Sequence, residues 1–125
     1  MKKFLTSTLL LVVFLTGCVN RIDYNKQSIN LSLGMDKQAV SSIMGPPRRT
    51  DVNEDRERWI YWNPVMVGFT PVDNEQLAGD RLVVTFKNGK VSKWGQQTLT
   101  DDMLEASQKN IQTMSAAIKN PASAK

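Results

Sequence analysis

The chain has 125 residues, of which 41% are hydrophobic and 22% are charged, a composition that fits one small globular domain. It contains no histidine and one cysteine, so Ser-His and Cys-His catalytic pairs, the common zinc sites and an intramolecular disulfide are excluded. No phosphate-binding glycine motif occurs either. We therefore expect a protein that is not an enzyme, with no metal site, no bound cofactor and no small-molecule substrate.

Residues 1–17 have the organisation of an export signal. Lys2 and Lys3 precede an apolar run over 4–15, which is shorter than the roughly 20 residues that a membrane-spanning helix needs. The run ends in the motif Leu15, Thr16, Gly17 and Cys18. This motif resembles a bacterial lipobox, which implies cleavage before Cys18, a diacylglycerol on its thiol and an acyl chain on its new amino group. We therefore predict a lipid anchor rather than a transmembrane helix.

The residue after the cysteine is Val19 rather than an aspartate. By resemblance to enterobacterial lipoproteins, this lack of an inner-membrane retention signal implies anchoring in the outer-membrane lipid bilayer, with the domain on the periplasmic face. Loss of Lys2 and Lys3 would leave 14 basic against 12 acidic residues, a net charge of +2. This small excess of positive charge predicts no nucleic-acid partner.

Residues 18–33 are polar with few apolar side chains, which predicts a lipidated tether. Within this segment Ile29, Leu31 and Leu33 alternate with polar residues. These three side chains either form a short strand or pack where the domain begins.

Residues 36–44 are predicted to be helical because both ends carry terminating signals. Asp36 can accept hydrogen bonds from the first turn, and Gly45 before two prolines ends the helix. Its apolar side consists of Ala39, Val40, Ile43 and Met44. A face this short is stable only when it packs on a sheet.

Residues 48–58 carry charges of both signs and are predicted to be a solvated loop rather than a docking site. Residues 59–62 follow as an aromatic strand. Its side chains alternate between two apolar faces, one with Trp59 and Tyr61 and the other with Ile60 and Trp62. Pro64 lacks a backbone donor, which favours the edge of the sheet for this strand.

Residues 63–79 form a connection longer than the roughly 12 residues usual in compact domains. Six apolar side chains lie in it: Val65, Met66, Val67, Phe69, Val72 and Leu77. These side chains either fold back over one face of the sheet or form a site for a partner.

Residues 80–95 are the most strongly specified element, a β-hairpin with a type I′ turn at Asn88-Gly89. Counting outward from the turn pairs Phe86 with Val91, Val84 with Lys93 and Val83 with Trp94. The expected core face consists of Leu82, Val84, Phe86 and Val91. The opposite face consists of Val83, Thr85, Ser92 and Trp94.

Residues 98–119 are predicted to be an amphipathic helix capped by Thr100, followed by a flexible tail over 120–125. Three carboxylates could in principle do acid-base work or hold a cation, but they equally suit the positive end of a helix: Asp101, Asp102 and Glu105. An apolar stripe with heptad spacing consists of Leu104, Ser107, Ile111, Met114 and Ile118, with Met103 beside it. The stripe either pairs with another helix or packs on its own domain, and we expect the second.

Together these elements predict an α+β fold in which a short N-terminal helix and a C-terminal helix pack on a three-stranded antiparallel β-meander. The domain itself would span 34–97, with the helix of 98–119 added to it. Apolar side chains on both faces of this sheet exceed what the first helix covers. The candidates for a partner surface are Trp62, Met66, Phe69 and Trp94, because aromatic residues and methionine are enriched in interface cores.

The order and spacing of these motifs resemble the SmpA/OmlA (BamE-like) family of small outer-membrane lipoproteins. The matching positions are Gly34, Met35, Val40, Gly45, Pro47, Trp59, Tyr61, Leu82, Val84, Phe86, Gly89 and Val91. The resemblance covers about half of the chain and implies helices against a three-stranded antiparallel sheet. It also implies a non-catalytic scaffold in envelope assembly or integrity, such as an accessory subunit of the β-barrel assembly machinery.

The connection of 63–79 and the helix of 100–118 lie outside the pattern shared with this family. Two alternatives therefore stay open. One is a stress-induced or mobile-element-encoded lipoprotein with other envelope partners. The other is a periplasmic enzyme inhibitor with a similar fold.

Overall fold

The computed structural model describes residues 20–120. The predicted signal peptide, the lipobox with Cys18 and the predicted tail over 121–125 lie outside the described residues. The described chain is mixed α+β, with an antiparallel sheet and a long C-terminal helix.

The described helices are α1 (Tyr24–Ser28), α2 (Lys37–Met44) and α3 (Leu99–Lys119). The described strands are β1 (Arg49–Val52), β2 (Glu57–Tyr61), β3 (Val65–Val67), β4 (Thr70–Val72), β5 (Leu82–Lys87) and β6 (Lys90–Gln96). The main sheet has the strand order β1-β2-β5-β6, and β3 and β4 form a separate two-stranded hairpin. A turn of 3-10 helix, Glu75–Leu77, lies between β4 and β5.

The main sheet has four strands rather than the predicted three. The additional strand, β1, lies in the segment that was predicted to be a solvated loop, and it pairs with β2 on the side away from β5. Strand β2 is therefore central, and Pro64 follows its end instead of marking an edge strand. Most side chains of β1 are exposed because this strand forms the edge of the sheet. Three of its four residues are polar or charged, which is why the sequence alone resembles that of a loop.

The turn between β5 and β6 has the predicted geometry. Asn88 and Gly89 have φ angles of 52° and 73°, the positive values that a type I′ turn requires. Phe86 pairs with Val91, as the count outward from this turn predicts. The residues at and beside the Asn88-Gly89 turn are thus sufficient to determine the pairing close to the turn.

Further from the turn the predicted register is wrong. A β-bulge at Ser92 adds one residue to β6, so that Val84 pairs with Trp94 instead of Lys93. The Ser92 hydroxyl donates a hydrogen bond to the Thr85 carbonyl at 3.1 Å. Because paired residues share a face, Trp94 lies on the core side of the sheet and packs against the main core, not on the opposite face.

The main core lies between this face of the sheet and the helices α1 and α2. All four predicted hairpin residues are buried in it: Leu82, Val84, Phe86 and Val91. Helix α2 contributes Val40 and Met44. Its start is capped as predicted, since the Asp36 carboxylate accepts a hydrogen bond from the Ala39 amide at 2.8 Å, and Gly45 ends it with a φ of 76°.

The segment predicted to be a tether belongs partly to the domain. Residues 24–28 form α1, and the side chains of Tyr24 and Leu31 are buried in the main core. The ring centroids of Tyr24 and Tyr61 are 5.3 Å apart. Of the three alternating apolar residues, only Leu31 therefore packs where the domain begins; Ile29 and Leu33 are exposed, and the three do not form a strand.

Helix α3 differs from its prediction at its start and in its packing. Its N-cap is Thr98 rather than Thr100, because the Thr98 hydroxyl accepts a hydrogen bond from the Asp101 amide while the Asp101 carboxylate accepts one from the Thr98 amide. None of the residues of α3 is buried. The apolar stripe therefore does not pack on the sheet.

Candidate protein-binding surface

The four residues predicted to form a partner surface do not lie together. Phe69 is fully exposed and Met66 is 58% exposed. Trp62 is buried in a second, smaller core on the opposite face of the sheet, and Trp94 packs against the main core. Of the four residues, Trp62 is therefore buried, Trp94 is half-buried, and Met66 and Phe69 are exposed.

Trp62 is fixed by contacts within its own domain. Its indole nitrogen donates a hydrogen bond to Asp73 Oδ1 at 2.8 Å. The Arg48 guanidinium lies 5.2 Å from the indole centroid, within cation–π range, and pairs with Asp73 at 2.9 Å. These contacts give Trp62 a structural role in holding the connection of 63–79 against the sheet.

Strands β3 and β4 build the exposed element. Val67 pairs with Thr70, so Gly68 and Phe69 form a two-residue turn. Gly68 has a φ of 63°, a left-handed conformation that glycine adopts without strain. Phe69 is therefore at the outermost point of the hairpin. We call the exposed apolar side chains of this turn and its first strand the hairpin tip; they are Met66, Val67 and Phe69.

The apolar side chains of the 63–79 connection were predicted either to cover one face of the sheet or to form a site for a partner, and different parts of the connection do each. At its base, Val65 and Ala78 pack against the second core and so cover one face of the sheet. At the hairpin tip the apolar side chains contact no core cluster. The base thus packs on the domain, while the tip remains open.

The second face of the sheet is also covered by ion pairs that the sequence did not predict. The side chain of Arg81 is 1% exposed. It donates to Asp102 at 2.8 Å and to Glu75 at 2.8 Å. Asp102 also accepts from Arg58 at 2.9 Å, so one carboxylate of α3 joins two buried arginines of the sheet.

These contacts keep the neighbouring carboxylates charged. A hydrogen bond from Arg49 holds the pKa of Glu75 below its ordinary value. A hydrogen bond from Arg58 likewise lowers the pKa of Asp51. Both carboxylates are therefore ionised at neutral pH and remain able to pair with the arginines of the sheet.

The sequence prediction placed Arg58 in a solvated loop, and this is wrong. Arg58 lies in β2, is buried, and shares a face with Ile60 and Trp62. The two-residue alternation that assigned Ile60 and Trp62 to one face extends back to Arg58. The face of the sheet on which Arg58 lies could therefore have been predicted from the sequence. Its partners Asp51 and Asp102 could not, because only the folded chain brings them together.

Three further ion pairs hold the first half of α3. Glu105 pairs with Arg56 at 2.6 Å and with Lys93 at 3.5 Å. The hydrogen bond from Arg56 lowers the pKa of Glu105. Lys109 pairs with Asp55 at 3.0 Å. The helix is thus attached to the domain through charged side chains of its first half.

The three carboxylates singled out for acid-base or cation chemistry have structural partners. Asp101 completes the helix cap, and Asp102 and Glu105 bind arginines. Within residues 20–120, no group of three or more His, Cys, Asp and Glu side chains could hold a metal ion. Over the same residues, no helix has the length and apolar character needed to cross a membrane.

No family model matches this chain, and neither a curated protein nor a solved structure gives a significant match. The protein is therefore classified here by its own fold and by its exposed apolar surface. It is an α+β domain with a four-stranded antiparallel sheet, a projecting hairpin with an apolar tip and a C-terminal helix with an exposed apolar stripe.

Proposed function

We propose that this protein is an outer-membrane lipoprotein that acts as a non-catalytic scaffold, binding another envelope protein through the hairpin tip. The observation that carries this proposal is the full exposure of Phe69 at the turn of a hairpin whose base packs on the second core. Aromatic side chains supply much of the binding energy in protein interfaces.

The hairpin base lies beside the point where the described chain begins. The Asn63 side chain donates to the Ile22 carbonyl at 2.7 Å and accepts from the Ile22 amide at 3.2 Å. Arg21 pairs with Asp80 at 3.3 Å. Cys18 precedes Arg21 by three residues, a reach of at most about 11 Å. A lipid on Cys18 would therefore hold the hairpin base close to the membrane, where partners in the same membrane are concentrated.

The resemblance to the SmpA/OmlA (BamE-like) family supports this reading and suggests the kind of partner. An accessory lipoprotein of that family belongs to an outer-membrane protein complex, such as the β-barrel assembly machinery. The positions that carry the resemblance lie in the core, in or beside the helix α2 and in the β5–β6 turn. The hairpin tip lies outside them, so we expect it to determine which complex is bound.

We predict that the chain isolated from membranes begins at Cys18 and carries a thioether-linked diacylglycerol and an amide-linked acyl chain. Intact-mass measurement checks this directly. A Cys18→Ser variant, which lacks the thiol, should retain residues 1–17 and carry no lipid. Recovery of unsubstituted chains with residues 1–17 still attached would contradict lipoprotein processing.

We predict that Phe69→Ala weakens binding to the envelope partner by more than about 1 kcal/mol, because the ring is the largest exposed apolar group of the hairpin tip. The partner is first identified with a photo-reactive amino acid at position 69 in intact cells. Affinity is then measured with the purified partner. Ile29→Ala is the control, since Ile29 is also an exposed apolar residue and lies away from the hairpin.

The cross-linked product separates the possible roles of the hairpin tip. A subunit of an outer-membrane complex, captured from position 69 but not from position 29, supports the scaffold. A periplasmic hydrolase that loses activity on binding would instead support the inhibitor alternative. Products containing only lipid would show that the tip contacts the membrane, and equal affinity of Phe69→Ala would contradict the proposed surface.

A further inference from the structure

Helix α1 carries an apolar side chain on the side that faces away from the domain. Its inner side consists of Tyr24 and Ser28, which are buried. Lys26 and Ile29 lie roughly 140° to 200° around the helix from Tyr24, and both are exposed. Ile29 ends the helix but keeps a helical conformation, with a φ of −60° and a ψ of −27°. Lys26 and Ile29 therefore point away from the core.

Ile22 belongs to the same outward surface, although it precedes the helix. It lines an open depression of the surface together with Lys26 and Asn30. Ile22 is 42% exposed and Ile29 is 79% exposed. We call Ile22, Lys26 and Ile29 the outer face of α1. Apolar side chains around a basic one are typical of short segments that lie between lipid head groups and acyl chains.

The outer face of α1 is the first apolar surface of the described chain after the predicted lipid site. Ile22 follows Cys18 by four residues, a reach of at most about 14 Å. The backbone of Ile22 is bonded to the Asn63 side chain through both its amide and its carbonyl, which fixes the point where the chain enters the domain. A lipid on Cys18 would therefore keep this face at a high local concentration beside the membrane, where even a weak contact forms.

The charges around the outer face of α1 suit a phospholipid surface. Within residues 20–120, the Lys26 ammonium has no ion pair or hydrogen bond. A lysine between two isoleucines can lay its stem along the apolar surface and extend its ammonium group to the lipid phosphates. The nearest acidic side chain, Asp23, caps α1 by accepting from the Lys26 amide at 3.0 Å. Asp80 is paired with Arg21, so its charge is balanced.

From these observations we infer that the outer face of α1 lies on the phospholipid surface in which Cys18 is anchored. Ile22 and Ile29 would enter the boundary of the acyl chains, with Lys26 at the phosphate groups. The inference rests on the lipid anchor of the proposed function and adds an orientation to it, with α1 between the membrane and the main core. Three side chains are too small a surface to hold the domain without the lipid, so the contact depends on the anchor.

The test uses the single cysteine of the chain. The chain that starts at Cys18 is coupled through this thiol to a maleimide phospholipid in phosphatidylcholine vesicles, which replaces the cellular lipid. A photo-reactive amino acid is placed at position 29 or, as the matched control, at position 52. Illumination should give at least tenfold more lipid adduct at position 29 than at position 52, measured by mass spectrometry.

Val52 is a suitable control because it is exposed and distant. It is 68% exposed, and it pairs with Glu57 at the end of the sheet that lies away from Ile22. Glu57 precedes Asn63, the residue bonded to Ile22, by six positions, roughly 20 Å along an extended chain. A lipid adduct at position 52 therefore reports a domain that meets the membrane in any orientation.

A second pair of variants separates a contact from mere proximity to the anchor. With the photo-reactive amino acid at the exposed position 25, Ile29→Asp should lower the yield of lipid adduct at least fivefold, because a carboxylate is repelled from the acyl chains. Val52→Asp adds the same charge away from α1 and should leave the yield unchanged. Both substitutions are at exposed positions, so the fold is retained.

The full chain in intact cells completes the test, with the photo-reactive amino acid again at position 29. A lipid adduct supports the inference, whereas an adduct with a protein overturns it. On vesicles, equal yields at positions 29 and 52, or an equal effect of the two aspartate variants, also overturn it. These outcomes leave the lipid anchor itself intact. Failure of the anchor is seen separately, as chains that retain residues 1–17 and carry no lipid.

Discussion

Replacing Asp102 with alanine should lower the free energy of unfolding by about 1 to 3 kcal/mol, because each of two buried arginines loses one of the two carboxylates that it binds. The side chains of Arg81 and Arg58 are 1% and 10% exposed, so water cannot replace the lost carboxylate. Urea denaturation of the chain without its first 18 residues measures the effect. The same variant should also loosen the attachment of α3, seen as faster amide exchange in its first turns.

The control for this prediction is Asp55→Ala, which removes an ion pair of the same helix. Asp55 and Lys109 are both 70% exposed, so their pair is weakened by solvent and contributes little. We expect its denaturation midpoint to stay close to that of the unsubstituted chain. If Asp102→Ala behaved in the same way, the arginines of the second face would have to be solvated rather than buried.

Replacing Phe86 with alanine should also lower the free energy of unfolding by about 3 to 5 kcal/mol, the usual effect of truncating a large side chain in a packed core. Phe86 is buried in the main core, and its ring centroid lies 4.9 Å from that of Trp59 in an edge-to-face contact. Small domains have only about 5 to 15 kcal/mol in total. The variant should therefore lose a large part of its stability, seen as a lower urea denaturation midpoint.

Phe69→Ala is the matched control for Phe86→Ala, since it makes the same substitution at a fully exposed position. It should leave the denaturation midpoint unchanged while weakening partner binding, whereas Phe86→Ala should do the reverse in those molecules that stay folded. Loss of stability in both variants would mean that the hairpin tip packs on the domain. An unchanged midpoint for Phe86→Ala would mean that the core lies elsewhere.

The elements predicted correctly are those specified by neighbouring residues. The Asn88-Gly89 turn, the Asp36 cap of α2 and the two faces of β2 each depend on a few adjacent side chains. The predicted core face of the hairpin is buried for the same reason, since alternation along a strand is a local property. These features define an α+β domain before any long-range contact is known.

The candidate site was predicted only in part. The sequence indicated that aromatic residues and methionines exceed what one helix could cover, and Met66 and Phe69 are indeed exposed. It could not separate them from Trp62 and Trp94, because exposure depends on contacts between distant segments. Trp62 is covered by Arg48 and Asp73, and Trp94 is turned toward the core by the bulge at Ser92.

The sequence by itself determined the helix α2, the β5–β6 turn and the apolar faces of β2 and β5, and it predicts an export signal at the N-terminus. Only the tertiary structure decided that a charged segment forms β1, that Arg58 and Arg81 are buried, and that the stripe of α3 remains open. The reason is that charge pairing acts between residues 21 to 44 positions apart, as in the bonds of Asp102 to Arg81 and Arg58. Once these bonds hold α3 by its charged side, its apolar side necessarily faces away from the domain.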